Sequence, residues 1–578
     1  MKLKWLAFPD RVGWRDHIVG AGMALAYVAW LLMTARSLGF PRDEGVYFSA
    51  ASSYIGWWRL LLDQPHVALT PGVIDSAWTV NAEHPALMKT LFGLSWWLLH
   101  ERWHVFADAS TAYRLPAMCV AGMSIWTTYL FGARAWTRRS GLAAAALLGS
   151  MPRVFFHAHL ACFDVPIMAM WLMCVYVQWR ALERGGVGWT IASGVVFGLA
   201  LETKHNAWML PAVLVPHVIL VAWTQRRSLP RGLRLGRVPI PWTLVSMAIL
   251  GPLVFYGLWP RLWTNLRGHL EWYINFHLNH EYYNIEFLGR NYFGPPSPKS
   301  YLPIMVIATV PTIALVLFGI GAVDRGAAMF ARFATLRALP GAMGKGPATG
   351  DGTGRDERAQ SQGIETDLLL ALSLLVAVGP FFLAKTPIFG GTKHWLPAYP
   401  ALALFAGRGF ELVLTAMRRA LPSLGGAAWL AAKTGLLASV TIAPIAETAH
   451  SHPFGLSAYV PVVGGTAGGA DLGLNRQFWG FTTESAASEY LNPFAPGGAT
   501  VFIHDTTWDA FRRMQEEKRI RGDLRAVGAP GEAQLALVQH ELHMNEVDYS
   551  IWVAFGTDAP VYVVTHDGVP IVSIYKRR

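Results

Sequence analysis

The sequence predicts an α-helical polytopic membrane protein with a small C-terminal α/β domain outside the membrane. Three observations lead there. Of 578 residues, 53% are hydrophobic and only 15% charged, where a soluble chain holds nearer a quarter charged residues. Uncharged runs recur at a length that suits the roughly 20 apolar residues needed to cross a bilayer core as helix. From residue 447 onward the pattern changes to short apolar runs separated by turn residues. The net charge of +11 does not mark a nucleic-acid binder, because the surplus Lys and Arg gather in particular loops, as positive-inside topology requires.

The basic segment 1–16 is expected in the cytoplasm, and the first apolar run, 18–35, leads outward as a retained signal anchor, since no small-residue cleavage site follows it. Residues 37–112 form a long outer loop, with amphipathic pieces such as 87–100 laid along the membrane surface. Spans follow at 115–133, 140–156, 165–179, 185–201, 205–225 and 238–260, with a basic cytoplasmic loop at 226–237. A second outer loop, 261–299, is rich in His, Tyr and Asn. Spans at 300–323, 368–384, 395–410 and 425–446 complete about eleven crossings, with a Gly-, Ala- and Arg-rich cytoplasmic loop at 324–366.

The odd count leaves the N-terminus inside and the tail outside, so the chain divides into a transmembrane domain, 1–446, and an extracytoplasmic α/β domain, 447–578. In the tail, Asp567-Gly568 between alternating apolar runs is a hairpin signal. No glycine-rich phosphate loop occurs in it. Trp57-Trp58 and Trp96-Trp97 read as interface anchors. The three cysteines, Cys119, Cys162 and Cys174, have neither disulfide nor metal spacing and read as buried packing residues.

With this topology the polar outliers collect on the outer side. Asp43 and Glu44 follow the first span, so two carboxylates stand at the membrane surface, where ionisable groups are costly to hold. Glu83-His84-Pro85 and Tyr113-Arg114 lie along the same loop. Asp164 heads a span, Glu202-Thr203-Lys204-His205 turns between two spans, and Lys393-His394 precedes another. Carboxylates can deprotonate a hydroxyl, and Lys or Arg beside a membrane can hold a phosphate. Such a mixture suits a lipid-linked phosphate donor and a nucleophile that needs a base. Arg114 and Lys204 could equally snorkel to the interface, and Lys393 and His394 could be a substrate pocket or plain surface. His277, His280 and Glu281 have metal-compatible spacing, against a structural role.

These residues also occur in a familiar order. Asp43-Glu44, Glu83-His84-Pro85, Tyr113-Arg114-Leu115-Pro116, Asp164-Val165-Pro166, Thr203-Lys204, Gly294-Pro295-Pro296, Tyr301-Leu302-Pro303 and His394-Trp395-Leu396-Pro397 follow one another over residues 10–415. In this the chain resembles the GT-C membrane glycosyltransferases, specifically the protein O-mannosyltransferase and aminoarabinose lipid A transferase superfamily (glycosyltransferase family 39-like). The resemblance implies a GT-C fold in a bacterial inner membrane. It implies inverting transfer of a hexose or pentose from a polyprenyl-phosphate donor to a lipid, polysaccharide or protein acceptor at the periplasmic face. Asp43, with Glu44 beside it, matches the catalytic base. Lys204 and Arg114 match donor-phosphate ligands, and Glu83 and Asp164 match acidic positions that hold a divalent metal in some members. Tyr47, His84, Lys393 and His394 would line the substrate pocket. Two departures weigh against lipid A as acceptor, since His84 stands where that branch has lysine and Val46 where it has arginine. The alternative reading is a transporter or flippase for a lipid-linked glycan precursor, which would show internal repeats and mid-span charges. Neither is evident.

Overall fold

The protein is described here by a computed structural model that covers residues 12–227, 241–338, 353–388 and 390–578. The start of the basic N-terminal segment, most of the basic loop at 226–237 and most of the Gly-rich stretch at 341–354 lie outside the described residues.

The first apolar run folds as α1 (Trp14–Thr34). Asp16 ties its start down, accepting from the Gly13 N–H at 2.9 Å, from Arg138 at 2.6 Å and from Tyr129 at 3.0 Å. The 37–112 segment contains α2 (Glu44–Asp63) and α3 (Leu87–Trp96). There follow α4 (Ala109–Ala135), α5 (Arg138–Gly149), α6 (Pro152–Ala158), α7 (Asp164–Arg184) and α8 (Val187–Leu201). Beyond them come α9 (Leu210–Arg227), α10 (Trp242–Leu258), α11 (Leu266–Leu278) and a small hairpin, β1 (Ile285–Phe287) with β2 (Arg290–Tyr292). The helical part closes with α12 (Tyr301–Thr309), α13 (Thr312–Ala338), α14 (Thr353–Val378), α15 (Tyr399–Ala420) and α16 (Gly426–Ser451). Among the described residues six helices are long and apolar enough to cross a membrane, and four shorter apolar ones accompany them. The chain is an integral membrane protein.

Four expectations need correction. The span expected at 140–156 is two helices, α5 and α6, broken at Ser150-Met151. Pro152 lacks the N–H needed to continue the first helix and starts the second. Arg153 is accommodated there because it is buried against Tyr459, its guanidinium 5.4 Å from the ring centre, and donates to the Ala458 carbonyl at 3.4 Å. The span expected at 300–323 is likewise broken, between α12 and α13 at Val310-Pro311. Trp57 is no interface anchor, since it is buried and its indole N–H donates to the Ala68 carbonyl at 2.9 Å. Cys162 and Cys174 are buried as expected, whereas Cys119 is exposed.

The C-terminal part is a five-stranded mixed sheet of β3 (Thr500–Ile503), β4 (Arg525–Val527), β5 (Leu535–Gln539), β6 (Tyr562–His566) and β7 (Val569–Lys576), in the order β4-β3-β5-β7-β6. The β4-β3-β5 half is parallel and the rest antiparallel. Two helices, α17 (Trp508–Glu516) and α18 (Asn545–Phe555), pack beside it. The β6–β7 turn is the anticipated one, with Asp567 at φ 49° and Gly568 at φ 75°, the pair of positive values that a two-residue type I′ turn demands.

This domain sits directly on the loop after α1. Arg42 donates its N–H to the Trp479 carbonyl at 2.8 Å and its guanidinium to Asp505 at 2.7 Å. Arg519 donates to the carbonyls of Arg36 and Leu38. The approach is close enough at Gly39 that a Cβ would lie 2.0 Å from the Phe481 carbonyl oxygen, so only glycine fits.

Candidate functional site

The two adjacent carboxylates meet opposite environments. Asp43 is the residue before the first turn of α2, and its side chain keeps 37% of its surface exposed. Glu44, one residue on, points into the protein and is fully buried. Glu44 takes a two-pronged ion pair from Arg114, Nε to Oε1 at 2.8 Å and Nη2 to Oε2 at 2.6 Å, plus the Ala161 N–H at 2.9 Å. Arg114 spends its remaining donors on the carbonyls of Ala35, Leu38 and Gly39. All five guanidinium N–H groups are thereby engaged within the protein. In this arrangement Arg114 has no donor left for a phosphate, and Glu44 is fully buried with three contacts on its two oxygens. The pair holds the end of α1, the start of α2 and the loop before α7 together, a placement unlike the catalytic and phosphate-binding ones expected for the two residues.

Asp43 is oriented from the C-terminal domain. Its Oδ2 accepts from the Trp479 indole N–H at 2.7 Å, and Arg42 approaches Oδ1 at 3.9 Å. Trp479 adopts φ 80°, a left-handed conformation that is an outlier for a bulky residue. The same ring receives Lys393, whose ammonium stands 4.0 Å from the ring centre, a cation–π arrangement. Lys393 is buried, and its charge is coupled to Asp164, Asp43 and Lys204. Asp164, the first residue of α7, accepts from Lys204 Nζ at 2.6 Å. Asp43, Asp164, Lys204 and Lys393 thus form one electrostatic group, although they lie far apart in the chain.

Glu83, His84 and Tyr47 border this group. Tyr47 is buried against Phe163 and His84, with ring centres 4.7 and 5.9 Å away. Burial, then the Lys204 and Lys89 ammoniums, hold the His84 imidazole well below its usual pKa, so it stays neutral. The loop carrying Glu83 and His84 is pinned by Lys89, a residue the sequence reading passed over. Its buried ammonium donates to the carbonyls of Asn81 at 2.5 Å and His84 at 2.8 Å. Burial lowers its pKa to about 7. The His394 ring is tilted against Phe381 at 5.8 Å.

The acidic positions Glu83 and Asp164, which the resemblance places near a metal in some members, have different partners. Asp164 is neutralised by Lys204, and Glu83 accepts from the Asn81 side chain at 2.5 Å. His277 turns away from His280, since its Nε2–H donates to the Glu83 carbonyl at 2.8 Å and its ring stacks on His205 at 3.9 Å. Among the described residues, neither set brings three metal-ligating side chains together. Two further residues escaped the sequence reading. Trp479 sits 436 residues from Asp43, and only the neighbouring Gly480 hints at a special backbone there. His157 is buried beside Trp479, with ring centres 6.0 Å apart and neither ring nitrogen partnered among the described residues.

Comparison with known proteins bears on this arrangement. Residues 94–256 match the family model described as dolichyl-phosphate-mannose-protein mannosyltransferase, so the resemblance read from the ordered motifs is borne out over that stretch. None of the curated proteins compared with the chain matches it. Among solved structures, the chain is similar to ArnT from Cupriavidus metallidurans bound to undecaprenyl phosphate, at 14% identity and a TM-score of 0.44 over 96% of this chain and 97% of that one. It is also similar to the apo oligosaccharyltransferase of Archaeoglobus fulgidus, at 9% identity and a TM-score of 0.47 over 96% of this chain and 72% of that one.

Proposed function

We propose that the protein is a glycosyltransferase that moves a hexosyl or pentosyl unit from a polyprenyl-phosphate donor to an acceptor hydroxyl at the periplasmic face of a bacterial inner membrane. The observation that carries this reading is the placement of a partly exposed carboxylate, Asp43, in one electrostatic group with the ammoniums of Lys204 and Lys393. The family match over residues 94–256 supports the lipid-phosphate donor. Asp43 takes the proton of the acceptor hydroxyl as its oxygen forms the new bond to the anomeric carbon. The bond from that carbon to the phosphate oxygen breaks on the opposite face, so configuration inverts. The leaving lipid phosphate keeps the electron pair, and Lys204 and Lys393 face the charge that develops on it. Trp479 fixes the rotamer of Asp43 by its N–H and lies under Lys393, so base and phosphate ligand are positioned by one ring. Glu44 and Arg114 position these elements without touching substrate. The acceptor is a lipid, polysaccharide or protein.

The test is sugar release from a panel of polyprenyl-phosphate hexoses and pentoses by the purified protein, with Asp43→Asn in parallel. Turnover is expected to fall by about 10²–10⁴-fold, the range for a general base, while donor binding persists. Turnover indifferent to Asp43, or transbilayer movement of an intact precursor without transfer, would replace this reading with the transporter.

A further inference from the structure

Away from that group, the last spanning helix and the C-terminal sheet meet at a cluster of ligating side chains. His450 lies in the final turn of α16, and His566 and Asp567 stand at the β6–β7 turn. One ligand atom from each lies within 4.8 Å of the others, the one such trio of His, Cys, Asp or Glu among the described residues. His450 Nε2 is 2.8 Å from Asp567 Oδ1, and His566 Nε2 is 3.7 Å from Asp567 Oδ2. The His566 side chain keeps only 8% of its surface, yet its Nε2 has no hydrogen-bond partner. Such a buried orphan nitrogen is costly unless something occupies it.

The surroundings favour a cation. Thr466 donates to Asp567 Oδ2 at 2.9 Å, which orients the carboxylate as supporting hydrogen bonds do around metal ligands. The trio borders a cavity of about 370 Å³ that is also lined by Glu447. Glu447 lies one helical turn before His450, and its Oε2 is buried and unpartnered as well. Two imidazoles and one or two carboxylates form a nitrogen–oxygen set suited to zinc and its neighbours. Bonds of about 2.0–2.2 Å around a tetrahedral ion place its ligand atoms roughly 3.4 Å apart, close to the spacing present. The type I′ turn holds Asp567 in a left-handed conformation that Asp and Asn tolerate, so the ligand is fixed by the hairpin itself.

We propose that His450, His566 and Asp567, with Glu447 or a water completing the shell, form a zinc-class metal site that staples the end of the last spanning helix to the C-terminal domain. The site is independent of the transfer reaction. The ion replaces the His450–Asp567 hydrogen bond with two coordinate bonds, His450 offering the Nε2 lone pair of a neutral imidazole whose N–H is then carried by Nδ1.

The test uses the full chain in detergent, without a polyhistidine tag, stripped with a chelator and reloaded with Co²⁺ or Zn²⁺ alone. Wild-type protein is expected to retain one more equivalent than His450→Ala, and to show the intense visible bands of tetrahedral Co²⁺ that the variant lacks. His450 is largely exposed at 69% of its side chain, so its loss leaves the fold in place. Asp567→Asn keeps the turn and is expected to weaken retention to an intermediate level. Equal metal content in wild type and His450→Ala, with unchanged cobalt spectra, overturns the proposal.

Discussion

Two of the buried ion pairs, Glu44–Arg114 and Asp164–Lys204, differ in what remains after pairing. Glu44–Arg114 is closed. The guanidinium has no donor left, and Glu44 also receives a backbone N–H. Asp164–Lys204 is joined by one contact at 2.6 Å and stands in a wider group with Lys393 and Asp43. Both look alike in sequence, as a carboxylate and a cation near span ends. The number of donors already used separates a strut from a candidate ligand, and only geometry supplies that number. An Arg at such a place suits the first role because its planar fork satisfies several fixed acceptors at once, while a Lys ammonium can swing toward a phosphate.

The largest effect expected from this contrast is on folding. Arg114→Met leaves Glu44 buried without its partner and uncaps three carbonyls, and breaking a buried pair this way costs about 3–5 kcal/mol. Thermal unfolding in detergent, followed by intrinsic fluorescence, is expected to show a sharply lowered midpoint or no folded yield. Adding Glu44→Gln removes the stranded charge and is expected to recover part of the loss. Full recovery would mean that the three carbonyl contacts contribute nothing, and the strut reading would shrink to a simple charge pair.

Lys204→Met is expected to do the reverse in kind. Loss of one phosphate-facing cation should lower kcat by about 10²–10³-fold, with a smaller drop in unfolding midpoint because Lys393 still acts on Asp164. Single-turnover assays with a saturating lipid-phosphate sugar would measure it. A Lys204→Met variant that unfolds as readily as Arg114→Met, with its surviving fraction fully active, would show the two pairs to be alike.

The part of this arrangement that could be read in the sequence is the part whose cost is local. Carboxylates directly after an apolar run are conspicuous because burying or half-burying them near a bilayer is expensive, and so Asp43 and Asp164 stood out. The helix break before Arg153 was signalled by Pro152, whose missing N–H is a local fact, yet the hydropathy of 140–156 outweighed it. The Asp567-Gly568 hairpin was legible for the same local reason. Residues that act by long-range contact left no trace. Lys89 looks like one more lysine on an amphipathic helix until its three acceptors are in view. Trp479 is one of 25 tryptophans, and nothing near it in the chain announces that it reaches Asp43. The metal-compatible spacing of His277, His280 and Glu281 leaves a structural role as the weightier reading, and spacing along a helix does not say that His277 turns to Glu83 and His205.

The smallest predicted effect isolates that Trp479 contact. Trp479→Phe keeps an aromatic face for Lys393 but deletes the N–H that holds Asp43 Oδ2 at 2.7 Å. A hydrogen bond to a charged group contributes about 1.5–3 kcal/mol at most, and the 37% exposure of Asp43 lets water replace part of it. The expected loss in kcat is therefore near tenfold, with donor KM nearly unchanged because the cation–π surface remains. Trp479→Ala should lower kcat further and raise the donor KM, since Lys393 then loses its platform. If both variants shift kcat and KM equally, Trp479 acts as one packing unit, and the division of labour between its N–H and its ring does not hold.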